Sequence, residues 1–220
     1  VWETDDLLTS FDGVSLWRPW NIDPSWKTQS GQAWFHIDQH PISKPGKQCI
    51  QGLINLLPTS KEIGGNVVIP KSHNFFKDLP QEYKERVERL PLDIDHFRFP
   101  YDDPKLSSEP AVMAHMEPGD MLLWDSRTIH CSSSGSSLPE GTNDLIRAAS
   151  LICMMPKKLS SKEILDKRIH AAENLVSTTN WTNDFRNADE FPIILEAENR
   201  DQYKWPKKPN LSDYQKELIA

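Results

Sequence analysis

One short stretch, residues 34–41, carries side chains of the types that bind a transition metal. His36 and Asp38 are two residues apart, and successive side chains of an extended strand alternate between its faces, so both project to the same side. Two histidines and one carboxylate on one face, with open positions opposite, form the facial triad of non-haem Fe(II) sites. The second histidine must come from a distant strand. The best candidate is His130, at the end of segment 118–130.

Arg147 is the other side chain whose position calls for an explanation. It lies inside the apolar run 145–152. A buried cation without a partner is too costly to keep, so Arg147 requires an anion. That anion is either a bound ligand of the same site or a protein carboxylate in a structural salt bridge.

Each candidate ligand also has a plainer interpretation. His36 and Asp38 could be an ordinary hydrogen-bonded pair on a strand. His40 lies in register with them and is the rival ligand, although Pro41 is expected to end the strand there. His130 could be a surface histidine beside the serine-rich loop 131–142, or could pair with Asp125.

Length, net charge and cysteine content limit the classes of protein to which the chain can belong. The chain has 220 residues, a net charge of −7 and three cysteines. This length suits one sizeable domain or two small ones, and the acidic balance disfavours a nucleic-acid partner. The cysteines form no disulfide or zinc pattern, and no apolar run is long enough for a membrane span. We expect an intracellular, cytoplasmic protein with a small-molecule partner; Val1 is not a start methionine, so the N terminus is expected to be truncated.

Short apolar runs separated by turn signals predict a β-rich region up to about residue 155. Residues 7–11 and 14–17 flank Asp12-Gly13 and predict a hairpin. Further strands are predicted at 33–39, 49–57, 66–69 and 145–155, and segments 111–117 and 121–124 are expected to pair with each other. Segment 80–90 predicts a charged helix, 91–110 a loop, 160–176 a helix capped by Ser160, and Ser212 begins a last short helix.

Together these elements predict a mainly β fold, a double-stranded β-helix (jelly roll, cupin-like) with flanking helices. We expect one domain over residues 1–220, with a β core at about 7–156 and a helical C-terminal segment at about 157–220. In a jelly roll, strands distant in sequence face each other, which would bring His130 to His36 and Asp38.

A series of motifs along residues 33–155 resembles the phytanoyl-CoA dioxygenase-like family of Fe(II)/2-oxoglutarate-dependent oxygenases. The series is His36-Ile37-Asp38, Pro70-Lys71-Ser72-His73, then Pro118-Gly119-Asp120, His130 and Arg147. The order Gly64-Gly65-Asn66 departs from the family's usual Asn-Gly order, which affects a turn and leaves the metal site untouched.

The resemblance implies roles for the four candidate residues. His36, Asp38 and His130 would ligate Fe(II), and Arg147 would hold the far carboxylate of 2-oxoglutarate by a two-pronged hydrogen bond. With O2 as the second cosubstrate, the reaction would hydroxylate a substrate C–H bond and release succinate and CO2. Related halogenases carry a small residue in place of Asp38, so hydroxylation is favoured.

Two other functions are compatible with the same sequence. A cupin-like metalloenzyme that does not use 2-oxoglutarate would keep the three ligands and would not need Arg147. A non-catalytic β-sandwich binding module would bind no metal. The substrate and the oligomeric state are not predicted.

Overall fold

The computed structural model describes residues 1–27, 34–184 and 207–220. These residues form two compact units, one of Val14–Ser150 and one of Val1–Gly13 with Leu151–Ala220. The single domain over residues 1–220 stays a prediction.

Short strands dominate the unit Val14–Ser150, whereas the other unit contains two short strands and two helices among the described residues. In chain order β1 to β11 are Leu7–Thr9, Val14–Trp17, His36–Asp38, Ile50–Asn55, Asn66–Val68, His96–Arg98, Val112–Met113, Met121–Asp125, His130–Ser132, Arg147–Leu151 and Met154–Pro156. Helices α1 to α4 are Leu79–Glu82, Lys84–Arg89, Lys162–Asn174 and Asp213–Glu217. Segments of 3₁₀ helix lie at Pro24–Trp26, Ser72–Asp78, Pro104–Ser107 and Lys157–Leu159.

The unit Val14–Ser150 is built on two sheets. One has the strand order β2-β10-β4-β8 and the other the order β6-β3-β9-β5-β7. Side chains reach from one sheet to the other: Gln51 of β4 bonds to Asp38 of β3, and Arg147 of β10 bonds to Ser132 of β9. Spatial neighbours such as β3 and β9 are far apart in sequence. The predicted fold class, a mainly β jelly roll, is confirmed.

Alternation along β3 fixes which side chains face the site. Ile37 is fully buried and belongs to an apolar cluster with Phe97 and Ile129. Burying such a side chain stabilises the fold by roughly 1.5–3 kcal/mol. A register slip of one residue would therefore expose Ile37 and bury Asp38 in apolar surroundings. The packing of one isoleucine thus directs His36 and Asp38 to the opposite face.

Ser72 links the segment after β5 to the segment that leads into β9. Its hydroxyl donates to the carbonyl of Ile69 at 2.7 Å and accepts from the backbone N–H of Ile129 at 2.8 Å. Because Ile129 directly precedes His130, this buried hydroxyl helps to fix the start of β9.

A close approach of two loops requires glycine at Gly64. Its φ is +102°, and a Cβ atom there would lie 2.1 Å from the carbonyl oxygen of Ser133. The same contact requires glycine at Gly135, where a Cβ atom would lie 2.1 Å from the carbonyl oxygen of Glu62. The turn whose residue order departs from the family pattern therefore supports the segment that follows β9.

Several predicted pairings are wrong. β1 pairs with β11 and β2 with β10, so residues 7–17 form no hairpin. Similarly, β7 pairs with β5 and β8 with β4, so segments 111–117 and 121–124 are not partners. A turn dipeptide is a local signal, whereas partner choice depends on burial: Leu8 of β1 faces Met155 of β11, and both are fully buried.

Other element boundaries also differ from the predictions. The predicted loop 91–110 contains β6, and the charged helix at 80–90 is two short helices, α1 and α2, separated at Tyr83. Helix α3 is capped by Ser161 instead of Ser160, whereas Ser212 caps α4 through a full capping box, as predicted. Residues 185–206 of the predicted C-terminal segment lie outside the described residues. Within the described ranges, no helix combines the length and apolar character needed to cross a membrane.

Candidate metal centre

Strand pairing brings the predicted metal ligands together. β3 and β9 are antiparallel neighbours, and His36 lies directly opposite His130 in the register. Directly opposed residues project to the same face of a sheet, so both imidazoles join Asp38 on one side. Their ring centroids are 4.4 Å apart.

The separations of the three groups fit a small cation. His36 Nε2 lies 3.6 Å from Asp38 Oδ1, and His130 Nε2 lies 3.3 Å from Asp38 Oδ2. One ligating atom from each residue lies within 4.8 Å of the others. Bonds of about 2.1 Å at right angles would place neighbouring ligand atoms about 3 Å apart. Modest closure around an ion would therefore complete the triad.

The other ring nitrogens fix the tautomers of the two histidines. Nδ1 of His36 donates to the carbonyl of Trp34 at 2.9 Å, and Nδ1 of His130 donates to the carbonyl of Thr128 at 2.8 Å. A carbonyl only accepts, so each Nδ1 carries the hydrogen and each Nε2 is free to bind a metal. Trp34 also stacks on His36, with ring centroids 4.5 Å apart.

Asp38 is held by two further residues that the sequence analysis did not identify. Gln51 Nε2 donates to Oδ2 at 2.9 Å, and His96 Nδ1 lies 3.4 Å from Oδ1. Burial raises the pKa of Asp38, but the neighbouring imidazoles of His130, His36 and His96 outweigh burial and hold that pKa well below its usual value. The carboxylate is therefore available in the ionised form that a metal requires.

Arg147 is buried, and its known contacts are with a hydroxyl and an aromatic ring. Its side chain donates from Nη1 to Ser132 Oγ at 2.7 Å and lies 4.0 Å from the centre of the Trp17 ring. Among the residues that the structure describes, no carboxylate lies within ion-pair distance of it, so the structural salt bridge is not found there. Burial lowers the pKa of Arg147 to about 10, and the group stays cationic at neutral pH.

Several buried polar atoms of this unit have no hydrogen-bond partner within the described ranges. They are Gln51 Oε1, Asn55 Nδ2 and Oδ1, Asn66 Oδ1, Trp124 Nε1 and Arg147 Nε. Each unsatisfied buried group costs roughly 1–3 kcal/mol. These atoms lie on β4, β5, β8 and β10, strands of the two sheets that also carry Asp38 and Arg147. A polar ligand bound beside them would supply the missing partners.

Geometry excludes His40 as a metal ligand and Asp125 as the partner of His130. His40 is fully buried away from the cluster, and its Nδ1 accepts the backbone N–H groups of Ile42 and Ser43, each at 3.0 Å. Asp125 forms its ion pair with Arg127, at 2.7 Å, and not with His130. His130 is only 5% exposed, so it is not a surface histidine.

A sequence model of the phytanoyl-CoA dioxygenase (PhyH) family matches residues 21–138 of this chain. That stretch is more than half of the chain and includes His36, Asp38 and His130. The chain belongs to the phytanoyl-CoA dioxygenase family. The resemblance seen in the sequence is thereby confirmed.

Two curated proteins and a solved structure are similar to this member of the phytanoyl-CoA dioxygenase family. Ava biosynthesis cluster protein O of Aspergillus versicolor is 32% identical over 187 residues, covering 81% of this chain and 56% of that protein. A putative phytanoyl-CoA dioxygenase of Dictyostelium discoideum is 20% identical over 214 residues, covering 83% and 57%. The chain thus spans about half the length of these relatives. The crystal structure of EvdMO1 aligns at a TM-score of 0.38 and 19% identity, covering 64% of this chain and 25% of that one.

Proposed function

We propose that the protein is an Fe(II)- and 2-oxoglutarate-dependent dioxygenase that hydroxylates a C–H bond of a small molecule and releases succinate and CO2. His36, Asp38 and His130 hold the metal, and Arg147 holds the cosubstrate. The observation that carries the proposal is the combination of the triad with a buried arginine in the same unit that lacks a carboxylate partner within the described ranges.

The residues of the site fit both Fe(II) and 2-oxoglutarate. Two imidazoles and one carboxylate are the donor set of non-haem iron sites, and they leave positions open for cosubstrate and O2. A buried guanidinium calls for an anion, and a carboxylate matches its fork geometry. When bound, Fe(II) and 2-oxoglutarate supply the oxidising chemistry with O2, and the protein supplies placement.

The chain's own groups have distinct tasks in this mechanism. Asp38 contributes a negative charge that is kept ionised by its surrounding donors. Arg147 would bind the far carboxylate, and its Nε–H has no other partner among the described residues. Ser132 fixes the direction of the guanidinium through its hydroxyl. The partly buried position of the triad limits water at the reacting centre, which strengthens the electrostatic interactions there.

The test is an anaerobic titration of the apo protein with Fe(II) and 2-oxoglutarate, followed by the metal-to-ligand charge-transfer band in the visible. Wild type should develop the band. Asp38→Ala should lose iron and band together, whereas Arg147→Ala should still bind iron and require a much higher 2-oxoglutarate concentration.

An exposed arginine on helix α2, Arg89, provides the matched control, since its side chain is 82% exposed. The Arg89→Gln variant removes an equal charge and should behave like wild type. Iron binding without the band would favour a cupin-like metalloenzyme that does not use 2-oxoglutarate. Absence of iron binding in wild type would contradict the enzyme proposal and favour a binding module.

A further inference from the structure

His96 lies on the strand that borders the metal strand on its outer side. β6 is the edge strand next to β3, and His96 is directly opposite Asp38 in the antiparallel register. Opposed residues share a face, so His96 projects to the side of the ligands. Phe97, the next residue, points the other way into the apolar cluster with Ile37, which fixes this orientation.

The contacts of His96 are with the site and not with the core. Its Nδ1 lies 3.4 Å from Asp38 Oδ1, and its ring centroid lies 4.4 Å from that of His36. The distance of 3.4 Å between Nδ1 and Oδ1 is longer than the ~3 Å of an ordinary N–H···O hydrogen bond. The register nevertheless keeps the two groups opposite each other. His96 is not one of the three residues whose ligating atoms cluster within 4.8 Å.

The carboxylate of Asp38 is therefore contacted by a non-ligand donor at each oxygen. His96 approaches Oδ1 from β6, and Gln51 donates to Oδ2 from β4 of the other sheet. A carboxylate held at both oxygens cannot rotate freely about its χ2 bond. Each carboxylate oxygen has two lone pairs, so one oxygen can bind the metal while both protein contacts are kept.

We propose that His96 is a positioning residue, which holds Asp38 in a single orientation for one-oxygen metal ligation by donating from Nδ1 to Oδ1. This inference rests on the proposed metal site and adds a residue to it. Outer partners of metal ligands typically contribute 10–100-fold, roughly, in metal affinity. The role requires a hydrogen-bond donor at the position of Nδ1 and does not require an imidazole ring.

Two substitutions at His96 test separately whether the hydrogen-bond donor or the imidazole ring is required. In His96→Asn the side-chain amide nitrogen can occupy the place of Nδ1, whereas His96→Leu fills a similar volume without a donor. The His96 side chain is 46% exposed, so both variants should fold. Arg98→Gln is the control, because Arg98 lies on the same strand and face but opposite His36.

The measurement is a titration of each apo protein with Co(II) alone, followed by the ligand-field absorption, with Fe(II) competition and thermal unfolding of the apo form. His96→Leu should bind Co(II) about 10-fold more weakly or worse, with an altered band shape because Asp38 becomes free to bind through both oxygens. His96→Asn and Arg98→Gln should match wild type in affinity and band shape, and all four apo proteins should unfold at similar temperatures.

Distinct results would overturn the inference. Wild-type affinity in His96→Leu would show that Asp38 needs no such partner. Equal weakening in His96→Leu and His96→Asn would show that the ring matters and the donor does not. If wild type itself bound neither Co(II) nor Fe(II), the proposed function would fail and the inference with it, whereas the first two results leave the metal site intact.

Discussion

The side chain of Gln51 donates a hydrogen bond of 2.9 Å to Asp38, and this bond joins β4 of one sheet to β3 of the other. The acceptor is Oδ2, the oxygen that also lies 3.3 Å from His130 Nε2. The other amide atom of Gln51, Oε1, is buried and has no partner within the described ranges. Gln51 therefore donates to the carboxylate while its own Oε1 is buried away from water.

Replacing Gln51 by methionine should uncouple metal affinity from stability. Gln51→Met should weaken Co(II) binding by about 10-fold or more, because Oδ2 of Asp38 loses its donor. The free energy of unfolding of the apo protein should fall by less than ~1 kcal/mol, because the substitution also removes an unsatisfied buried oxygen. Gln48→Met changes a glutamine whose amide bonds to the carbonyl of Pro45 and is the control. A large loss of stability with unchanged Co(II) affinity would contradict this prediction.

The pair of Asp125 and Arg127 should make stability depend on pH in the acid range. Burial raises the pKa of Asp125, but hydrogen bonds from Arg127 of 2.7 and 2.8 Å outweigh it and lower the pKa below its usual value. Since the pKa is lower in the folded state, the ionised carboxylate stabilises the fold above its ordinary pKa of about 4. That contribution disappears as the pH falls through the lowered pKa.

Asp125→Asn should therefore cost about 1–3 kcal/mol of unfolding free energy at pH 7 and progressively less in acid. Urea unfolding at a series of pH values measures the difference between variant and wild type. Asp93→Asn, at an exposed position, is the control. A deficit in Asp125→Asn that stayed constant down to the acid limit would mean that the ion pair is not its cause.

Cys131 should be unreactive in the native protein although it follows His130 directly. Burial raises the pKa of its thiol to about 12. At pH 8 only a fraction on the order of 10⁻⁴ would be thiolate, the form that reacts with alkylating reagents. Iodoacetamide labelling followed by peptide mass spectrometry should find Cys131 unmodified in native protein and modified in urea. Rapid labelling of Cys131 under native conditions would show that its thiol is not buried.

Arg168 should be essential for the unit of Val1–Gly13 and Leu151–Ala220. It is fully buried on α3, and its guanidinium donates to the carbonyls of Thr9 at 2.6 Å and Ile219 at 2.7 Å. Burial lowers its pKa to about 10, so it stays charged at neutral pH. The planar fork spreads its donors over three nitrogen atoms, whereas an ammonium group has all its donors on one atom and cannot reach the same set of carbonyls.

Arg168→Met should therefore lower the free energy of unfolding by ~3 kcal/mol or more, because the buried carbonyls lose their donors. Arg168→Lys should restore little of it. Hydrogen exchange should accelerate at residues 1–13 and 207–220. The exposed neighbour Lys167 gives a control, since Lys167→Met should change stability by less than ~0.5 kcal/mol. Unchanged exchange at both termini in Arg168→Met would contradict this role.

Local rules account for the part of the site that sequence reasoning could predict. The two-residue spacing of His36 and Asp38 places them on one face of any strand, and Ile37 determines which face is buried. The apolar run around Arg147 likewise predicted a buried guanidinium, and its side chain is 3% exposed. Both inferences depend on residues close in sequence, where alternation and burial leave few choices.

The sequence by itself determined the fold class, the family and the three groups that could hold a metal. The tertiary structure decided which strands pair, and therefore that His96 and Gln51 contact Asp38. His96 lies in a segment whose sequence predicts a loop, and Gln51 in a strand with no chemical motif. Contacts of this kind depend on the register between strands distant in the chain, which is fixed by the packing of side chains such as Ile37 and Phe97 and leaves no local pattern in the sequence.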